Sequence, residues 1–356
     1  MSNVALSPVG LSMAAAMSIT NVLTDVARKR ALDKRDLIPA TFWIRTAVTM
    51  AFGLVLLWRI AGGARVTIRD GGPLFGISAL RLAAAPTFFI YLTLNVLLIT
   101  VVMWLYFRAL QISPLSMCVP FLSFTPVFLI PSGYIILGEL PAARKLLGVV
   151  LIVAGSLVMN RRLFAVGWMA PVKAIFHEKG SRYMLLVSLI FSVTNPLDKV
   201  LVTMSDVFTE AFAYGLGLSI AFWIWGKAQH GDFAAATRGN WKWISLAGLL
   251  DAVSLLFQLG SYAYIAVVIT VSIKRAGIVL SVFAGWLFFH ERGVTDKVIA
   301  SSVMFCGVLI LYLPVSPAQA LGITAVTVGG MAAALYATRH AAAHAADDVA
   351  PSVAAR

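Results

Sequence analysis

Charge is what this sequence lacks most. Asp, Glu, Lys and Arg make up 12% of 356 residues, against 60% hydrophobic, and mean hydropathy is +0.90. A soluble domain carries about 25% charged residues. This composition cannot cover a water-facing surface of this size, whereas a lipid-facing surface needs no such cover. Cysteine is almost absent. Cys118 and Cys306 each sit inside an apolar run, in no metal or redox spacing, which excludes a disulfide framework and a zinc site built on cysteine. The five histidines (177, 230, 290, 340 and 344) are scattered near loops or in the tail, and no nucleophile elbow or phosphate loop is present. Nothing therefore calls for a metal, a cofactor or an enzyme's acid–base set. No basic residue precedes the first apolar stretch, so a cleavable signal peptide is not expected.

What is present is a series of long apolar runs. They predict ten helices over about 8–28, 39–61, 86–108, 114–138, 143–160, 181–203, 208–227, 242–267, 269–290 and 296–314, an all-α membrane protein. Residues 318–338 offer an eleventh span, and the end of the chain reads as a disordered tail. Loops are short except at 62–85, which has room for an interfacial helix, and at 161–180. The net charge of +13 comes from basic residues flanking the runs, such as Arg28-Lys29-Arg30 and Arg161-Arg162. Flanking clusters mark topology and contact with the lipid bilayer. No basic stripe interleaved with aromatics suggests nucleic acid as a partner. Trp223, Trp225, Trp241 and Trp243 read as an interfacial belt.

The chain resembles itself. Gly133, Glu139, Lys145 and Gly155 recur at an offset of 152 as Gly285, Glu291, Lys297 and Gly307, and Ser-x-Thr-Asn occurs at 18–21 and 192–195. The Glu–Lys pairs read as pins for helix-joining turns, and the later glycines as close-approach points. The repeat divides the chain into a first five-helix unit (1–160), a connecting loop (161–180), a second five-helix unit (181–314) and a terminal region (315–356). A repeated unit with an odd number of spans must be inverted, which places a substrate site near mid-membrane between the halves.

The segment YFRALQISPLSMCVPFLSFTPVFLIPSGYIILGELPAARKLLGVVLIVAG carries a helix-ending Tyr-x-x-Ala-Leu-like pattern, Pro126, a Gly-Glu turn and a following Lys and Gly. VSIKRAGIVLSVFAGWLFFHER echoes it. In these residues the chain resembles the drug/metabolite transporter superfamily, EamA type, over roughly 8–314. The resemblance implies ten helices, a central cavity and transport of small metabolites. Lys274-Arg275 is also similar to the Lys-Arg pair that holds substrate phosphate in plastid phosphate translocators.

Helical spacing gathers the polar residues inside the runs onto faces. Ser188, Ser192, Asn195 and Lys199 form one stripe beside the helix-breaking Pro196, which can free a carbonyl toward the cavity. Asp251, Ser254, Gln258 and Ser261/Tyr262 form a second. Ser18, Asn21 and Asp25 form a shorter one, with Arg45 on the next helix. The residues expected to bind substrate are Lys199, Asn195, Ser192, Lys274, Arg275, Asp251, Gln258, Tyr262 and Asn21. Their structural alternative is mutual neutralisation, through Asp251–Lys274, Asp251–Arg275 or Asp25–Arg45 pairs. If Asp198 points away from Lys199, or lies only at a helix end, positive charge remains in excess. The cargo is then a small anionic or zwitterionic molecule, because a guanidinium donates two parallel hydrogen bonds to carboxylate or phosphate. A flippase for lipid-linked anionic head groups would use the same residues and need a lateral opening. Coupling is open between a proton on Asp251 and anion exchange, and a homodimer is one assembly left open.

The basic residues set up a conflict over orientation. The resemblance implies a cytoplasmic N-terminus in a bacterial inner membrane. Arg59, Arg65, Arg69, Arg81, Arg144, Lys145, Arg339 and Arg356 would then be cytoplasmic, with twice as many Lys and Arg on the other side. The positive-inside rule favours the opposite orientation.

Overall fold

The computed structural model describes residues 7–32, 36–68, 84–113, 118–138 and 178–275, together with positions 148, 151, 155, 277, 303, 304, 306, 307, 310, 318, 319, 322 and 325. The described elements are all helical. They are α1 (Pro8–Ala31), α2 (Leu37–Ala61), α3 (Ala84–Ile112), a 3-10 turn (Val119–Phe124), α4 (Thr125–Leu137), α5 (Lys179–Met204), α6 (Val207–Ala228), the short α7 (Phe233–Thr237) and α8 (Trp241–Tyr262). A further helical stretch covers 267–275. Six of these, α1, α2, α3, α5, α6 and α8, are long and apolar enough to cross a membrane.

The predicted helices over 8–28, 39–61, 86–108, 181–203 and 208–227 correspond to α1, α2, α3, α5 and α6. The run 242–267 ends earlier, at Tyr262, and residues 263–266 turn the chain before helix resumes. The run 114–138 divides at its prolines. Its first described part is the 3-10 turn, and α4 begins with Pro126 in its first turn, where a missing N–H costs no hydrogen bond. Gly138 closes α4 at φ 68°, a left-handed cap that glycine adopts without a steric penalty. The short helix α7 was not anticipated. Of the residues carrying the repeat, Glu139, Lys145, Gly285, Glu291 and Lys297 lie outside the described residues, as do most of 143–160, 161–177, 276–317 and 318–338.

The packing suits a protein whose solvent is lipid. Met50, Leu54, Leu57 and Trp58 on α2 are 64–77% exposed, and Phe89, Leu97 and Val101 on α3 also face outward. Polar side chains turn inward instead: Thr24, Asn95, Ser188, Thr194 and Ser261 are fully buried. Most buried hydroxyls return their proton to a carbonyl one turn back, as Thr24 does to Thr20 and Thr49 to Arg45. Of the tryptophans read as a belt, Trp223 and Trp241 are exposed. Trp225 packs on Phe222 and Trp104, and Trp243 receives the Arg30 guanidinium at 5.1 Å.

Close helix approach fixes the centre. A Cβ on Gly248 of α8 would lie 2.5 Å from Ala47 Cβ and 2.9 Å from the Ile44 carbonyl of α2. Neither neighbour is the end of a flexible chain, so the helices would have to separate. Overpacking of this kind costs about 1–3 kcal/mol. Gly248→Leu is therefore expected to lower the melting temperature of detergent-purified protein and to part Arg45 from Asp251, one turn along α8.

At the edges, acidic caps hold the helix starts. Glu178 accepts from the Gly180 and Ser181 backbone N–H groups at 3.0 and 2.5 Å and from the Ser113 hydroxyl, tying α5 to the end of α3. Asp206 accepts from Phe208 N–H at 3.0 Å, the Thr209 hydroxyl at 2.6 Å and the Arg59 guanidinium at 2.7 Å. Burial pushes the Asp206 carboxyl up, but these hydrogen bonds and the Arg59 charge outweigh it and hold it below the usual carboxylate range. A depressed carboxyl stabilises the fold above the unfolded-state value and loses that contribution as pH falls through its own. Asp206→Ala is expected to cost about 1 kcal/mol at neutral pH, the size of a lost cap. The difference in melting temperature from wild type should shrink on acidification below about pH 4.

Candidate functional site

The polar stripes meet in one cavity of about 100 Å³ between α1, α2, α3, α5, α6, α8 and the 267–275 stretch. Its charged lining consists of Asp25, Arg28, Arg45, Asp198, Asp251, Lys274 and Arg275. All lie in helices that a membrane would surround, so each needs a partner or a purpose.

One part of the lining is self-neutralised. Asp251 of α8 receives Arg28 of α1 at 2.6 Å and Arg45 of α2 in a second, closer contact. Arg28 also reaches Asp25 at 3.3 Å, and Asp25 accepts from Asn21 at 3.4 Å and from the Tyr106 hydroxyl. Three helices are thus joined by a network with Asp251 at its centre. The anticipated Asp251–Lys274, Asp251–Arg275 and Asp25–Arg45 pairs are not the ones formed. α1 and α2 pack directly against α8, and their guanidiniums reach Asp251 first.

The opposite wall is held by neutral groups. Asn195 Oδ1 accepts from the Tyr262 hydroxyl at 3.1 Å and from Gln258 Nε2 at 3.3 Å. Gln258 Oε1 accepts from Lys274 Nζ at 2.7 Å. This relay fixes Lys274 without neutralising it. Gly277 sits against Ser18 of α1, where a Cβ would come within 2.5 Å of the Ser18 hydroxyl, and this approach carries Lys274 and Arg275 to the cavity. Arg275 is 6% exposed. Its guanidinium lies 5.8 Å from the centre of the Phe191 ring, its Nε has no hydrogen-bond partner, and no carboxylate among the described residues pairs with it.

Of the nine residues expected to bind substrate, Asn21, Asn195, Asp251, Gln258, Lys274 and Arg275 line the cavity. Tyr262 stands behind it, orienting Asn195 and Gln258. Lys199 is half-buried and not in the lining. Ser192 is also outside the lining and spends its hydroxyl on the Leu189 carbonyl. The carbonyl that Pro196 frees, that of Ser192, does not face the cavity either. The Ser132 hydroxyl of α4 donates to it at 2.5 Å, because a buried carbonyl without a donor is costly in lipid.

Asp198, expected at a helix end or turned away, is buried in the lining, where Asn95 donates to it at 2.6 Å. Arg28 was read as a topology marker. It falls three residues after Asp25 and seven after Asn21, on the same helix face, and that spacing could have placed it here. Asn95 and Tyr106 are lone polar positions in a highly apolar run, and no periodicity singles them out.

The fold and this polar centre define an integral, multi-pass helical membrane protein. Residues 8–161, somewhat under half of the chain, match the EamA-like transporter family, a similarity in keeping with the EamA type of the drug/metabolite transporter superfamily. A solved structure described only as "Crystal structure of protein" shares the fold at a TM-score of 0.58 and 14% identity, over 85% of this chain and 95% of that one. No curated protein matches the sequence.

Proposed function

We propose that the protein is a secondary transporter of a small anionic or zwitterionic metabolite, working by alternating access between two inverted five-helix repeats. The observation that carries the reading is Arg275: a buried guanidinium on the cavity wall with no carboxylate in ion-pair contact among the described residues. Burying an unpaired charge is expensive, and an anionic cargo supplies the missing partner. Lys274, which donates to Gln258, stands next to it.

Two features support the repeat. Asn21 and Asn195, the ends of the two Ser-x-Thr-Asn motifs, line the same cavity. The main helix pairings are α1 with α8, α3 with α5, and α2 with α6. In order of the predicted spans these are 1 with 8, 3 with 6, and 2 with 7. Exchanging the two halves converts the first pairing into the second and returns the third to itself. The apolar outer surface fits a lipid bilayer, and the membrane we propose is a bacterial inner one.

The test is uptake into proteoliposomes of L-lactate, L-glutamate and 3-phosphoglycerate, with L-lysine as the cationic control. Uptake of one or more of the anions above empty liposomes is expected, with none of L-lysine. Preferential uptake of L-lysine would sink the reading.

A further inference from the structure

Behind the cavity lies a second polar feature that the anion reading leaves unused. Glu210, four residues after the Asp206 cap of α6, is 1% exposed, and neither carboxylate oxygen has a hydrogen-bond partner. Its charged neighbour is Asp198 on α5. Asp198 is buried in the cavity lining and receives one donor, Asn95 Nδ2. Asn95 Oδ1 and the Thr194 hydroxyl, one turn before Asp198, are buried and unpartnered as well. The acceptors of the region, Glu210 Oε1 and Oε2 and Asn95 Oδ1, have no donor placed on them. Two carboxylates so placed cannot both carry charge without a large penalty, and one proton between them relieves it.

The groups facing the pair do not remove the need. Lys274 faces Asp198 from the cavity wall but donates to Gln258. Tyr214 of α6 stands beside both carboxylates, with Arg45 and Arg28 beyond it, and both arginines are committed to Asp251. Tyr262 of α8 donates to Asn195. Asp251, the acid that the sequence offers as a proton carrier, is occupied by its two guanidiniums.

We infer that Glu210 and Asp198 form a proton-binding site that couples proton movement to anion transport in the same direction. This rests on the anion-carrier reading. The cavity brings four cations, Arg28, Arg45, Lys274 and Arg275, against three lining carboxylates, with Glu210 behind them. With both members of the pair ionised the set is neutral. A single proton taken from water onto the pair leaves one positive charge in excess, which a monoanion cancels. Proton and anion therefore favour each other's binding by the same factor. They cross as a neutral load, and both leave to water on the far side.

Two experiments test this. The first needs no substrate. Infrared difference spectra of reconstituted protein, recorded while pH is stepped across neutrality, should show a carboxylic acid C=O band that is lost in Glu210→Gln and also in Asp198→Asn. The second applies an inside-alkaline pH gradient to proteoliposomes and follows whichever of L-lactate, L-glutamate or 3-phosphoglycerate is carried. Wild type should accumulate the anion several-fold above equilibrium, and a potassium–valinomycin potential should leave accumulation of a monoanion unchanged. Glu210→Gln should bring accumulation down to equilibrium and make exchange independent of pH. A band absent in wild type, or unmoved by both substitutions, overturns the site. So does undiminished gradient-driven accumulation in Glu210→Gln, or accumulation driven by a sodium gradient at fixed pH. If none of the three anions is carried, the anion reading falls, and the infrared experiment still decides the proton site.

Discussion

Asp251→Asn is expected to be the most damaging conservative substitution in the described helices. The side chain keeps its size, but the Arg28 and Arg45 guanidiniums lose the carboxylate that both contact. Arg28 retains Asp25 at 3.3 Å, while Arg45 keeps no acidic partner among the described residues. Removing one member of a buried ion network destabilises by about 3–5 kcal/mol, because the remaining charges stay buried without compensation. Whole domains are stable by only about 5–15 kcal/mol. Much of the Asp251→Asn protein should therefore aggregate in size-exclusion chromatography, and what survives should melt at a lower temperature. Arg45→Gln should be milder, since Asp251 keeps Arg28 at 2.6 Å. The double variant should be more stable than Asp251→Asn alone, because it removes a stranded cation together with its anion. A melting temperature for Asp251→Asn indistinguishable from wild type would mean that the network does not hold α1, α2 and α8 together.

The ease with which the sequence disclosed this centre varied with the kind of signal. The spans of α1, α2, α3, α5, α6 and α8 were legible because about 20 uninterrupted apolar residues have few uses besides crossing a bilayer. Side-chain stripes were legible for the same helices. A polar face at helical spacing in an apolar run must turn away from lipid, which brought Asn195, Asp251 and Gln258 to the cavity. Partner choice was not legible. Which cation reaches Asp251 depends on which helices touch α8, and neither helix spacing nor charge count encodes that. Arg28 illustrates the point. Its place in Arg28-Lys29-Arg30 reads as an interfacial cluster, yet α1 continues to Ala31 and turns that one residue of the three inward. Ser192 shows the converse. Spacing puts it on the Asn195 stripe, but its hydroxyl is spent on the Leu189 carbonyl, Ser132 donates to its backbone carbonyl, and it lies outside the cavity lining. Glu210 escaped notice because a carboxylate in a first turn is ordinarily a cap-region charge favoured by the helix dipole. It is the packing of α6 into the bundle that buries it.

The same contrast between satisfied and unsatisfied charge sets the expected result at Arg275. Arg275→Gln should cut anion uptake, measured as kcat/KM in proteoliposomes, by about 30-fold to several thousand-fold. Losing one member of a buried charge pair with a ligand costs about 2–5 kcal/mol. The melting temperature of substrate-free protein should not fall, and should rise if anything, because no carboxylate among the described residues is in ion-pair contact with this guanidinium while its own burial is unfavourable. That opposition between transport and stability separates a substrate-binding cation from a structural one, for which both would fall together, as at Asp251. Arg275→Lys refines the test. It keeps the charge but not the two-pronged donor geometry or the flat face that lies over Phe191. A cargo held by paired hydrogen bonds to a carboxylate or phosphate should lose most of its transport in both variants. A cargo drawn in by charge alone should be restored by lysine. Uptake that is unchanged in Arg275→Gln would leave the cavity without its anion-binding residue and would remove the reason for assigning it an anionic cargo.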